Sequence, residues 1–235
     1  MIKRVQALFE REPRINLHRY PIQLRFSGED LILEGETEHI AAKKLALELA
    51  ASVPGVGRIV DRLKVAPAQR MSDAEIRDYI YRALIQEPAF YTCGVSARVK
   101  GENEILGEFV PGPGGHIHGD IEDGVVILNG QVPSLSHKRL AGVLAWWVPG
   151  SRDVVNGLEE VPPQKDSDDE ITDAVRMVLE KDPFVRADQI RVSTAHSVVT
   201  LEGVVSSEPA KQMAEFDAWY IFGVDKVVNK LEVEA

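Results

Sequence analysis

The chain has 235 residues, 44% of them hydrophobic, with 27 basic against 37 acidic side chains and a net charge of −10. It is long enough for two or three small domains with real cores, and its acidity excludes a general nucleic-acid binder, which needs clustered Lys and Arg to neutralise phosphate. The opening MIKRVQALFEREPRI is too charged for the apolar core of a secretory signal, no stretch approaches the ~18 apolar residues of a membrane-spanning helix, and the single Cys93 cannot close an intramolecular disulfide. The expectation is a soluble protein, cytoplasmic as sequenced, and periplasmic or envelope-associated if a signal precedes Met1.

The first predicted helix is MIKRVQALFEREPRI itself, ending at Pro13 and beginning without a capping residue. Alternating INLHRYPIQLRF reads as a strand and GEDLILEG as a second strand running into a turn at Gly35; a helix follows, and RIVDRLKV reads as a third strand. The same order then recurs. SDAEIRDYIYRALIQEPAF opens with a capping box at Ser72 and stops at Pro88; YTCGVSARV and EDGVVILNG follow as strands, then a helix through Trp146 and a closing strand. SDDEITDAVRMVLEKDPFV opens the third copy at Ser167 and stops at Pro183, with QIRVSTA, HSVVTLEG, a helix and KVVNKLEV after it.

The three copies align without a gap from Leu31, Val126 and Val199. With Gly35, Gly130 and Gly203 as origins, Ala46, Ala141 and Ala214 lie 11 residues on, Ala50, Ala145 and Ala218 lie 15 on, and Val53, Val148 and Ile221 lie 18 on. At ~100° per residue these positions form one helical stripe, and alanine there lets a helix approach a sheet closely. A second glycine at offset 20, Gly55, Gly150 or Gly223, is placed for a left-handed helix C-cap. Asp61, Asn156 and Asn229 at offset 26 share the strand face of core neighbours and are expected to bond local backbone. The predicted fold is α+β: three tandem αββαβ units at about 1–66, 71–161 and 166–234, each a small three-stranded sheet with two helices packed on one face.

LEG turning into an Ala-faced helix, then GV and a VVNxLxV strand, resembles the BON domain, a small lipid-associated module of bacterial envelope and stress proteins. The resemblance implies a non-enzymatic binding module without a cofactor, with phospholipid membranes as the proposed target. It specifies the fold better than the ligand, because the shared residues are the structural glycines and alanines.

Offsets 16 and 17 hold Trp146 and Trp147 in repeat 2 and Trp219 and Tyr220 in repeat 3, but Ala51 and Ser52 in repeat 1; offset 13 holds Val143, Phe216 and Glu48. The two aromatic offsets lie ~120–140° from the alanine stripe and so point away from their own repeat's core. Apolar area of this kind marks a contact surface. The expected cover is another repeat of the same chain or a second protomer; a membrane interface and a protein partner are the alternatives. The functional reading is association with a phospholipid surface or envelope components, against the alternative of a cytoplasmic protein-interaction or oligomeric scaffold whose aromatic faces join repeats or protomers.

Repeat 2 is longer than its siblings: Pro88 to Gly130 is 42 residues, against 22 for Pro13 to Gly35 and 20 for Pro183 to Gly203. The excess, about 100–122, is expected as an insertion between the first two strands, a polar Gly-rich hairpin tip. Within it His116, His118 and Asp120 alternate on one face and are weak metal candidates, no metal being expected. GVSAR around Ser96 lacks the second glycine of a nucleophile elbow, Cys93 has no neighbouring base and is expected in the core, and no enzyme is predicted.

Charge is distributed unevenly. Residues 1–66 carry 11 basic against 9 acidic side chains, 67–165 carry 9 against 13, and 166–235 carry 7 against 15. Lys3, Arg4, Arg11, Arg14, Arg19 and Arg25 are therefore candidate contacts for an anionic surface, each contributing ~1 kcal/mol near anionic lipid, or for acidic repeat 3.

Overall fold

The computed structural model describes residues 1–108 and 112–234, so that Phe109, Val110 and Pro111 of the expected insertion lie outside the described residues. The chain forms two compact units, Met1–Ala66 and Pro67–Ala235.

The first unit contains α1 (Ile2–Phe9), β1 (Ile22–Ser27), β2 (Asp30–Thr37), α2 (Ile40–Ala51) and β3 (Ile59–Val65). β1 and β2 form an antiparallel hairpin, and α2 is the crossover that brings β3 parallel beside β2, giving the order β1-β2-β3. Leu31, Leu33 and Leu63 of the sheet, Ala46 and Ala50 of α2, and Val5 and Phe9 of α1 close the core. No side chain caps the start of α1.

Gly35 shows why each repeat keeps its first glycine. Its φ is +140°, and a Cβ there would stand 2.6 Å from the Pro21 carbonyl oxygen. Gly130 and Gly203 repeat the arrangement at φ +129° and +134°, with the carbonyls of His116 and Gln189 2.2 and 2.1 Å from the Cβ position. The neighbouring strand approaches so closely that only glycine fits.

The second unit continues with α3 (Asp73–Gln86), β4 (Gly94–Val99), β5 (Ile105–Gly107), β6 (His116–Glu122), β7 (Val125–Val132), α4 (Leu135–Trp146) and β8 (Asp153–Glu160). Repeat 3 adds α5 (Asp168–Lys181), β9 (Ile190–Ala195), β10 (Val198–Val205), α6 (Glu208–Tyr220) and β11 (Lys226–Val233), with sheet order β11-β10-β9. Ser72 forms the expected capping box with Glu75, and Ser167 accepts from the Glu170 amide.

Repeat 2 departs from the three-stranded expectation. Its sheet has five strands in the order β5-β4-β6-β7-β8. The strand that pairs with β7 as β1 pairs with β2 is β6, which lies inside the supposed insertion; YTCGVSARV instead supplies β4, an added strand parallel to β6. The 100–122 segment is therefore not a hairpin tip. Both β4 and β6 alternate, with Val95, Ala97 and Val99 buried on one and Ile117 and Ile121 on the other, and alternation identifies a strand without naming its neighbour.

The second glycines also differ from expectation. The helices end at Ala51, Trp146 and Tyr220, a few residues before Gly55, Gly150 and Gly223. Gly55 and Gly223 have φ near +93° and +94°, whereas Gly150 is kept small by packing, a Cβ there standing 2.7 Å from Met71 Cβ.

Candidate interaction site

The three offset-26 residues tie the last strand of each repeat to its second helix. Asn156 Nδ2 donates to the Lys138 carbonyl at 2.7 Å and Asn229 Nδ2 to the Lys211 carbonyl at 3.1 Å. In repeat 1 the polarity is exchanged: Lys43 Nζ reaches Asp61 Oδ2 at 3.0 Å and the Leu63 carbonyl at 2.7 Å. Lys43, Lys138 and Lys211 all stand at offset 8, but only Lys43 uses its side chain in the tie.

A second recurrent device was not read from the sequence. Asp73 at the start of α3 accepts from the amides of Asp123 and Gly124 at 2.9 and 2.8 Å, and Asp168 at the start of α5 accepts from His196 and Ser197 at 2.8 and 2.9 Å. Each aspartate thus holds the tight turn between two hairpin strands, where Asp123, His196 and Ser197 have positive φ. The two amides hold the Asp168 carboxyl below its ordinary pKa. The shared Ser-Asp pair is the signal that pointed here.

In unit 2, α4, α5 and α6 pack on one another, and the predicted aromatic faces meet there. Trp146 stacks on Tyr220 with centroids 5.4 Å apart and planes 17° from parallel, and Trp147 Nε1 donates to Asp217 Oδ1 at 2.9 Å. The two repeats use equivalent positions differently. Val143 is buried where Phe216 is half-buried, and Trp219 is 0% exposed where Trp146 is half-buried. Burial raises the pKa of the Tyr220 hydroxyl, and the Asp217 carboxyl adds to the rise.

Arg139, buried on α4, fastens the same joint. Its Nη2 meets both carboxylate oxygens of Asp166 at 2.6 and 2.7 Å and its Nε donates to the Phe222 carbonyl at 3.0 Å. Lys138 Nζ lies 5.0 Å from the centroid of the Phe222 ring. At the far end of α5, Lys181 Nζ meets both oxygens of Glu87 at 3.0 Å, with the exposed aromatics Tyr91 and Phe184 a few residues beyond.

The remaining candidates separate into distinct places. His118 lies on β6 between Ser96 on β4, whose Oγ is 2.8 Å from His118 Nδ1, and Asp120, whose Oδ1 is 3.5 Å from Nε2 and accepts from Arg98 Nε at 2.6 Å. Strand pairing aligns Ser96 with His118 and Arg98 with Asp120, so that this polar ladder fastens the added β4 to the sheet. The sequence had set Ser96 aside. Although it sits beside a histidine and an aspartate, it is 1% exposed and gives a substrate no access. His116 is on the same strand, and among the described residues no three His, Cys, Asp or Glu side chains are grouped to hold a metal. Cys93 packs against the core, donates to the Gly114 carbonyl at 3.1 Å and has its thiol pKa raised by burial.

In unit 1, Arg14 is held by Glu12 at 2.7 Å and Arg25 lies 3.7 Å from Glu34. Lys3, Arg4, Arg11 and Arg19 are exposed and make no ion pair among the described residues, although the Arg19 guanidinium lies over the Tyr20 ring at 5.5 Å.

The recurrent ties and the joint define a class: a chain of small α+β repeats, each fastened by the same internal contacts. The BON domain model matches residues 3–67, 104–162 and 167–235, and the chain belongs to the BON domain family. In repeat 2 the match begins after β4, in keeping with β6 as the counterpart of β1 and β9. Among solved structures, the C-terminal domain of CdsD, the structural protein of the Type III secretion system of Chlamydia trachomatis, is similar at 14% identity and a TM-score of 0.25, covering 100% of this chain and 96% of that one. A second structure of CdsD matches at 14% identity and a TM-score of 0.24, with coverages of 99% and 90%. Comparison with curated proteins found no match.

Proposed function

We propose that the protein is a non-catalytic binding protein whose first repeat contacts an anionic phospholipid surface through Lys3, Arg4, Arg11 and Arg19. The observation that carries this reading is the contrast between the candidate surfaces. The aromatic faces of repeats 2 and 3 are occupied within the chain by the Trp146–Tyr220 stack and the Trp147–Asp217 bond, whereas these four cations are exposed without a carboxylate partner among the described residues. Long cationic side chains attract anionic headgroups at ~1 kcal/mol each near the surface.

Vesicle flotation of the full chain tests this, with phosphatidylglycerol-containing and pure phosphatidylcholine vesicles at low salt. Binding is expected only to the anionic vesicles, and combined Lys3→Glu, Arg4→Glu and Arg11→Glu is expected to weaken it at least about 100-fold, by the same ~1 kcal/mol per side chain. Binding that survives the triple reversal would remove unit 1 as the contact surface. No binding to either vesicle would leave the scaffold reading, in which the repeats serve protein assembly.

A further inference from the structure

The joint between repeats 2 and 3 buries an acid where its siblings place a hydrocarbon: Asp217 stands at the offset of Leu49 and Leu144. It is 2% exposed, and Asp182, the residue that closes α5, is 6% exposed. Asp217 Oδ1 accepts from Trp147, while Oδ2 has no hydrogen-bond partner among the described residues. The neighbour within hydrogen-bonding reach is the Asp182 carboxyl, whose Oδ1 already accepts from the Phe184 amide at 2.8 Å. Two buried carboxyls side by side cannot both be charged without a large penalty, and a proton between them supplies the missing donor.

The other charged groups on the surrounding helices do not neutralise the pair. From α4 the contact is the indole of Trp147; Arg139 on that helix is engaged by Asp166, and Lys181 at the end of α5 by Glu87. On α6 itself, Tyr220 interacts with Asp217, and its hydroxyl is held neutral by burial. Glu215 on the same helix accepts from Asn229 Nδ2 at 3.1 Å.

We propose that Asp182 and Asp217 form a proton-sharing carboxyl latch between repeats 2 and 3, closed while one proton is held by the pair and loosened when that proton leaves. Burial raises the Asp217 pKa most, the Trp147 bond opposes it, and the Asp182 charge adds to the rise, leaving Asp217 at about 8. The folded pKa thus lies above the unfolded value of 3.8. The closed joint is favoured most at low pH, loses that advantage as pH climbs, and is least stable once Asp217 ionises beside Asp182.

The test is a pH 5–10 titration of the full chain, with the aspartate side-chain carboxyl carbons followed by 13C NMR and α4 and α6 by hydrogen exchange corrected for intrinsic rate. The latch predicts one pair resonance titrating near pH 8, with protection of both helices falling from pH 5 to about 8 and levelling off above it. Asp217→Asn keeps an oxygen for Trp147 and gives Asp182 a permanent N–H donor, so protection should persist to pH 10. Should that variant fail to fold, Asp182→Asn serves instead, moving the Asp217 titration down toward the ordinary carboxylate range. Full ionisation of both acids by pH 6 in the native chain, unchanged loss of protection in Asp217→Asn, or an unmoved titration in Asp182→Asn would each overturn the proposal.

Discussion

Trp146 and Trp219 occupy the same repeat position, and truncating each to alanine should have unequal consequences. Trp219 is 0% exposed on α6, which packs against α4 and α5. Removing a fully buried aromatic side chain and leaving its cavity costs ~3–5 kcal/mol. Its indole bond to Glu215, 3.4 Å long, contributes little beside that. Trp146 is half-buried, and its loss removes a stack on Tyr220 worth ~0.5–1.5 kcal/mol together with part of the transfer energy, about 2 kcal/mol in all. With a urea dependence of about 2 kcal/mol per molar for a unit of this size, the midpoints should fall by about 2 M for Trp219→Ala and about 1 M for Trp146→Ala. Urea unfolding followed together by far-ultraviolet circular dichroism and the remaining tryptophan emission measures both. Equal shifts, or a larger one for Trp146→Ala, would refute the asymmetric joint.

Other outcomes follow from the recurrent devices. Asn156→Ala removes the 2.7 Å tie to the Lys138 carbonyl, and thermal unfolding should register a loss of about 1–2 kcal/mol, the range for an unmade buried hydrogen bond. Gly130→Ala drives a Cβ to within 2.2 Å of the His116 carbonyl at φ +129°; a loss of more than about 1 kcal/mol is expected by urea unfolding, and a neutral result would contradict the close strand approach. Asp168 has a folded pKa below its unfolded 3.8, so its contribution is present above that value and is lost as pH falls through the folded pKa. Asp168→Asn should consequently lower the melting temperature at pH 7 and narrow its gap from the native chain toward pH 2.5.

The repeat was legible because three copies superpose: an alanine stripe, a glycine pair and an Asp or Asn recur at fixed offsets, and chance sets no such register. The five-stranded sheet was not. β4 and β6 both alternate, and only strand pairing reveals that β6, not β4, matches β1 and β9. Helical angles placed the aromatic residues on the outer face, but the difference in burial between Trp146 and Trp219 is a tertiary property absent from local periodicity. Asp217 was visible as an acid aligned with two leucines, yet only its burial beside Asp182 gives that substitution a consequence. Ser96 and His118 stood 22 residues apart in sequence and met only through the unexpected β4–β6 pairing.

The central claim is that the cationic surface of unit 1, and not the aromatic joint, contacts the anionic surface. Hydrogen exchange of the full chain with and without phosphatidylglycerol vesicles tests it most directly. The account predicts new protection in α1 and in the segment through Arg19, with α4 and α6 unchanged by vesicles. New protection confined to α4 and α6, or opening of those helices on binding, would contradict it by making the aromatic faces the membrane contact.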